Sequence, residues 1–272
     1  HLDSVGAAFL VLGLYSFERT RPLRGALSVA LSIGTKLVPV MLLVHFVRRK
    51  RSFALWLLMA TAAMVVTSFI MYETYPRGLV TFAHQWRGND SLFAVVFNTI
   101  QEFLGGPNQQ IQVPEWFANV ARALVGHQTE GGQGVLSAAE MALVCAKLCS
   151  AIILGFVTLT AAIFARTSTG FWLAFMGCLM LISPVVHPWY LVWVLPFAVL
   201  HLNETHRVFA IAFIVWALMA WVVYWPRPYY LETGIWSEST ALKLVEYIPV
   251  YACLIWGTVQ RVRKYATKLS AQ

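Results

Sequence analysis

Residues 171–202 read FWLAFMGCLMLISPVVHPWYLVWVLPFAVLHL, and the reading of this stretch decides the fold. Two apolar runs, Phe171–Ile182 and Leu191–Leu200, flank Ser183-Pro184-Val185-Val186-His187-Pro188-Trp189-Tyr190. Together they exceed the roughly 20 apolar residues that one membrane-spanning helix needs. Proline removes a backbone donor and disturbs the turn before it, so Pro184 and Pro188 are expected to end one helix and start another. In hydrocarbon, the polar groups freed at such a break need protein or water partners. A His, a Trp and a Tyr gathered at the break mark it as a candidate site.

The composition around this stretch agrees. Of 272 residues, 59% are hydrophobic and only 12% charged, where soluble domains run near a quarter charged. We therefore expect an all-α, polytopic transmembrane helix bundle forming one domain over residues 1–272. It should contain short broken or re-entrant helices and an exoplasmic loop region at 73–137. The abundant Trp and Tyr suit interfacial belts, and the net charge of +8 reflects cytoplasmic loops rather than a nucleic-acid surface. Cys145, Cys149, Cys178 and Cys253 lie in apolar helical stretches and read as packing residues. No cluster has metal-ligand spacing, and no cofactor is expected.

Working outward, Val5–Phe17 is an apolar helix followed by the basic stretch Glu18–Arg24. Gly25–Phe46 comes next and ends in Arg48-Arg49-Lys50-Arg51. Two basic flanks belong on the cytoplasmic side, so Gly25–Phe46 is expected to be a hairpin, with arms Ala26–Ile33 and Pro39–Val47 turning at Gly34-Thr35-Lys36. Arms of about ten residues would rise roughly 15 Å, placing Lys36 inside the protein. An intramembrane ammonium is a functional hypothesis by default, here as the holder of a lipid phosphate; the alternative is a lysine that snorkels to an interface. Asp3, at the opposite end of the first helix from the basic loop, reads equally as an N-cap or as a site residue.

Phe53–Tyr72 is an ordinary span. The long polar-leaning segment after it contains Phe82–Ser91, where His84, Trp86, Arg87 and Asn89 offer the mix that meets sugar hydroxyls and phosphates. Equally, Asn89-Asp90-Ser91 reads as the cap of a helix Leu92–Phe103. Gly105–Gly134 reads as surface loop with a short amphipathic piece near Trp116–Leu124. Ala138–Arg166 then crosses inward, Phe171–Leu202 forms a second hairpin with His187 near its tip, Val208–Trp225 crosses outward and Ala241–Val259 returns. In this topology the cytoplasmic segments hold 13 of the 20 basic residues and only Glu18 and Glu204 of the 12 acids. Asp3, Lys36, His84–Ser91 and His187–Tyr190 all fall toward the other face.

His1-Leu2-Asp3-Ser4 opening a helix, the stretch Ser32-Ile33-Gly34-Thr35-Lys36-Leu37-Val38-Pro39, and Ser183-Pro184 with His187-Pro188-Trp189-Tyr190 occur in that order across the chain. In this the chain resembles the C-terminal portion of a GT-C superfamily integral-membrane glycosyltransferase, of the bacterial polyprenol-phosphate-mannose-dependent mannosyltransferase kind. The resemblance implies an exoplasmic site in the inner membrane, a polyprenyl-phosphate sugar as donor substrate, and inverting transfer to a glycan, lipid or polyisoprenoid acceptor. It also implies a carboxylate base shortly after a first transmembrane helix. That base is expected upstream of His1, in a missing N-terminal part without which the fragment is inactive.

The residues suit that chemistry. Displacement at an anomeric carbon needs a base for the acceptor proton and cations or donors for the departing phosphate. Lys36, His187, Tyr190 and Arg87 are the candidate phosphate ligands, and His1, Asp3, His84, Trp86, Asn89 and Trp189 the candidate sugar or lipid contacts. The simpler reading of His187-Pro188-Trp189-Tyr190 is an interfacial helix start with Pro at its first position. A transporter or lipid flippase is the alternative function, since broken helices and intramembrane charge occur there too. A non-catalytic scaffold would leave Lys36 and His187 without a role.

Overall fold

The computed structural model of the chain describes residues 2–71, 88–125, 134–202, 207–233 and 239–270. They are almost entirely helical, with one small antiparallel sheet among the described residues. Among the described residues, three helical segments are long and apolar enough to cross a membrane: Ala138–Phe164, Arg207–Tyr224 and Thr240–Arg263. Packing divides the chain into two compact units. The first comprises His1–Ser68, Thr158–Gly177 and His187–Gln272, and the second Phe69–Val157 and Cys178–Val186.

In the first unit, α1 (Leu2–Glu18) turns through Thr20, at φ 58°, into α2 (Pro22–Thr35), whose opening proline needs no amide partner. The two helices run antiparallel and close together because small residues line their seam. Carbon added at Gly13 would meet Val29 Cγ2 at 2.6 Å, and carbon at Gly25 would meet Gly13 O at 3.0 Å. The Ser32 hydroxyl donates to Gly6 O at 2.8 Å. After Thr35 the backbone extends at Lys36 (φ −160°, ψ 129°), then resumes as a 3₁₀ turn, Val38–Met41, and α3 (Leu42–Arg49). Helix α4 (Arg51–Met71) follows.

This is the first hairpin expected from the sequence. Phe46 of α3 and Phe53 of α4 both pack on Phe17, at 4.7 and 4.5 Å between ring centroids, with the Lys50 ammonium 4.5 Å from the Phe17 ring. Both basic stretches therefore lie at one end of α1. The arms are longer than expected: α2 has 14 residues, about 21 Å at 1.5 Å per residue. Lys36 reaches the first turn of α1, where it meets Asp3.

Helix α8 (Ser168–Ile182) begins in the first unit and ends at the break. After it, Pro188 opens a 3₁₀ helix, Pro188–Trp193, and α9 (Leu195–Leu200) follows. The start of α8 folds against this return: Trp172 Nε1 donates to Trp193 O at 2.8 Å, and Trp172 meets Phe197 at 6.2 Å. Helix α10 (Arg207–Met219), a 3₁₀ continuation Ala220–Tyr224, α11 (Arg227–Thr233) and α12 (Thr240–Ser270) complete the unit. Inside it, Trp216 Nε1 donates to the buried Glu246 carboxylate at 2.7 Å, which ties α10 to α12.

The second unit holds α5 (Leu92–Phe103), strand β1 (Gln110–Gln112), α6 (Glu115–Val125), strand β2 (Val135–Ser137) and the first part of α7 (Ala138–Phe164). The stretch expected as surface loop is more ordered than its composition implied. Strands β1 and β2 pair antiparallel, Ile111 opposite Leu136. Ala118, Ala121 and Val125 of α6 bury against Leu136 and Val144. Ser137 and Glu140 form a reciprocal capping box at the start of α7, with Ser137 N–H donating to Glu140 Oε2 at 2.8 Å and Glu140 N–H to Ser137 Oγ at 3.2 Å.

Candidate functional site

The breaks predicted at Lys36 and at Pro184–Pro188 are both present, and in the first unit their products meet. Asp3, inside the first turn of α1, accepts a charge-assisted hydrogen bond from Lys36 Nζ at 2.9 Å and one from Trp193 Nε1 at 2.7 Å, both on Oδ1. Its expected alternatives were cap and site residue; the geometry makes it the counter-ion of the lysine. Lys36 Nζ also stands 3.5 Å from the centroid of the Tyr190 ring, a close cation–π contact. His187 stacks on Trp189 at 4.4 Å and meets the edge of Tyr190 at 5.3 Å. Trp189 stacks in turn on Tyr224 at 6.1 Å. A continuous cluster thus joins Trp193, Asp3, Lys36, Tyr190, His187, Trp189 and Tyr224 at the end of α1 opposite the basic residues.

The sequence places each member for a physical reason. Pro188 fixes the start of its 3₁₀ helix, so residues 190 and 193, one 3₁₀ turn apart, share a face. Gly6 leaves room for that face: a side-chain carbon there would collide with Thr35 Oγ1 and sit 2.6 Å from Trp193 Cη2. Lys36 is about one quarter exposed, Asp3 about one tenth (27% and 11% of the side chains). Burial lowers the Lys36 pKa from its ordinary value, and the hydrogen bond and charge of Asp3 pull it part of the way back. Burial, then the Asp3 carboxylate and Tyr224, push the Tyr190 phenol up to about 12, so it stays protonated.

Beside the cluster runs a groove of about 530 Å³, almost wholly apolar, lined by Ser4, Ala7, Val11 and Tyr15 of α1 with Val192 and Pro196. Ser4 and Val192, which line it, are the chain neighbours of Asp3 and Trp193. Among the described residues no three His, Cys, Asp or Glu side chains come together to hold a metal.

His1, His84, Trp86 and Arg87 lie outside the described residues. Asn89 and Asp90 are buried in the second unit, Asn89 at φ 50°. Their segment serves the broken backbone there. Gly88 N–H donates to Pro184 O, and Gly88 O accepts from Val186 N–H, each at 3.0 Å. Ser91 Oγ donates to Leu181 O at 3.0 Å, and Ser150 Oγ to Ile182 O at 3.1 Å. Ser91 does occupy the position before α5, but makes no side-chain cap there, which corrects the cap reading.

Sequence reasoning missed Trp193, Tyr224, Gly6 and the intrahelical Glu246. Trp193 had a signal: a Trp on the short helix that follows His187, whose indole N–H needs an acceptor when buried. Glu246 had one too, as the lone acid within an apolar helix. Comparisons of the chain with protein-family models, curated proteins and solved structures returned no match.

Proposed function

We propose that this chain serves a polytopic membrane glycosyltransferase activity that moves a hexose, mannose by the sequence resemblance, from a polyprenyl-phosphate donor to an acceptor hydroxyl at the exoplasmic face of the inner membrane. The observation that carries this reading is the Asp3–Lys36–Tyr190 cluster, built from two helix breaks, with an apolar groove running along the same helix, α1. A lipid phosphate has both an anion for an ammonium and a hydrocarbon tail for a groove.

In the reaction, the acceptor oxygen forms a bond to the anomeric carbon as the bond from that carbon to the phosphate oxygen breaks. The electron pair stays on the phosphate, and the acceptor proton passes to a base. Lys36 stabilises the departing phosphate, its charge most effective in a partly water-excluded site. Tyr190 lies against Lys36, and His187 against Tyr190. Asp3 is not given the role of base, because Lys36 and Trp193 occupy it.

The test is donor-dependent transfer by the full-length protein in liposomes, with polyprenyl-phosphate-mannose and a labelled acceptor. Glycosidic product that is lost in Lys36→Ala and in His187→Ala supports the reading. Unchanged turnover in both variants removes the site. Solute or lipid movement without a glycosidic product replaces the enzyme by a transporter or flippase.

A further inference from the structure

Helix α6 (Glu115–Val125) divides into three faces. Ala118, Ala121 and Val125 are buried against Leu136 and Val144. Glu115, Asn119 and Arg122 form a polar face, Arg122 donating to Val135 O at 2.9 Å. Between these lies a third face of Trp116, Val120 and Leu124, at four-residue spacing and 69%, 51% and 42% exposed. Water does not stabilise such a row, and nothing in the core of the unit uses it.

The neighbouring helix says what covers it. Along α7, Ala138, Ala142, Val144 and Ala146 are buried within the unit. From Leu148 onward a bare apolar row begins, including Ile152 at 70% and Phe156 at 69% exposed. The rest of the helix, to Phe164, extends about 25 Å at 1.5 Å per residue, close to the roughly 30 Å of a hydrocarbon core. The lipid boundary on α7 therefore falls at Leu148. Lys147, the residue just before it, donates from Nζ to Leu124 O, the carbonyl in the last turn of α6, at 2.9 Å. That bond holds the C-terminal end of α6 at the boundary, where an ammonium also meets phospholipid headgroups.

We propose that α6 is an interfacial helix, lying on the membrane with Trp116, Val120 and Leu124 inserted at the headgroup–acyl boundary, so that its partner is the lipid surface itself. This is independent of the sugar-transfer reading, because it rests on α6 and α7 alone.

The test uses the full-length protein in phosphatidylcholine liposomes. In the native chain, a bilayer-dissolved diazirine should modify Trp116, Val120 or Leu124 along with Ile152 and Phe156, the internal standards. Adducts at 152 and 156 with none over 115–125 would overturn the proposal. In a background without the native cysteines, a fluorophore at Trp116→Cys, Val120→Cys and Leu124→Cys should be quenched several-fold more by shallow doxyl-lipid than by aqueous iodide, with the reverse at Asn119→Cys. Preferential iodide quenching at 116 and 120, or protection from both quenchers as under a protein partner, would refute it.

Discussion

Lys36 is held by two interactions, and a third fixes its partner, each contributing something the others cannot. Asp3 neutralises it, Tyr190 presents a π face to it, and Trp193 fixes the carboxylate that fixes the lysine. A Trp193→Phe variant keeps most of the packing and deletes only the indole donor. The expected loss is on the order of 1–3 kcal/mol, read as a lower midpoint in detergent thermal unfolding; an unchanged midpoint would mean the bond contributes nothing. Because burial lowers the Lys36 pKa, its proton leaves at a lower pH than that of a solvated lysine. A bound phosphate favours the protonated form, so affinity for a lipid phosphate should weaken as pH rises, before the ordinary lysine range is reached. Titration of binding against pH, with Lys36→Arg as the non-titrating control, measures this. Asp3, Lys36, His187 and Tyr190 were legible in the sequence because each is a polar group in an apolar setting. Their pairing was not, since Asp3 and Trp193 are 190 residues apart in sequence.

The decisive elements are the two broken helices, and what they require is close approach. Gly6 provides it at the site. Gly6→Ala forces Thr35 and Trp193 apart, an overpacking expected to cost about 1–3 kcal/mol and to reduce transfer activity with it. Gly155→Ala on α7 is the contrasting variant, since carbon there meets nothing within 4 Å. That exchange should leave stability unchanged or raise it by up to about 1 kcal/mol, the helix-propensity difference. Equal unfolding midpoints for the two variants would contradict the seam described between α1, α2 and the 3₁₀ helix. Proline and glycine made these breaks readable in advance. The β1–β2 pair was not, because three-residue strands carry no period of their own and are fixed by partners about 25 residues away. Helix α6 was only half visible, as an amphipathic piece without the strands that bury it.

At the scale of the whole molecule, charge and chain reversal describe the same arrangement within the first unit. Arg21 and Arg48 lie at one end of α1, while Leu37 lies beside the break at the other. With single cysteines in sealed vesicles, Arg21→Cys and Arg48→Cys should react with an impermeant maleimide from one side, and Leu37→Cys from the opposite side only. Reaction of 21 and 48 from different sides would make α2 to α3 a single crossing instead of a hairpin. The basic flanks gave this much from sequence alone. They could not give the division into two units, which depends on contacts made across the long polar segment.

The ion pair at rest has a consequence for which molecules can enter. A lysine already matched by a tethered carboxylate faces every incoming anion with a built-in rival whose local concentration no dilution reduces. Under the proposed function, free phosphate and small soluble esters bring nothing to displace that rival except charge, and are expected to bind weakly. An amphiphile whose hydrocarbon part is seated along α1 would arrive with affinity in reserve to set against the pair. Discrimination between a lipid-borne and a water-borne phosphate then needs no separate gate.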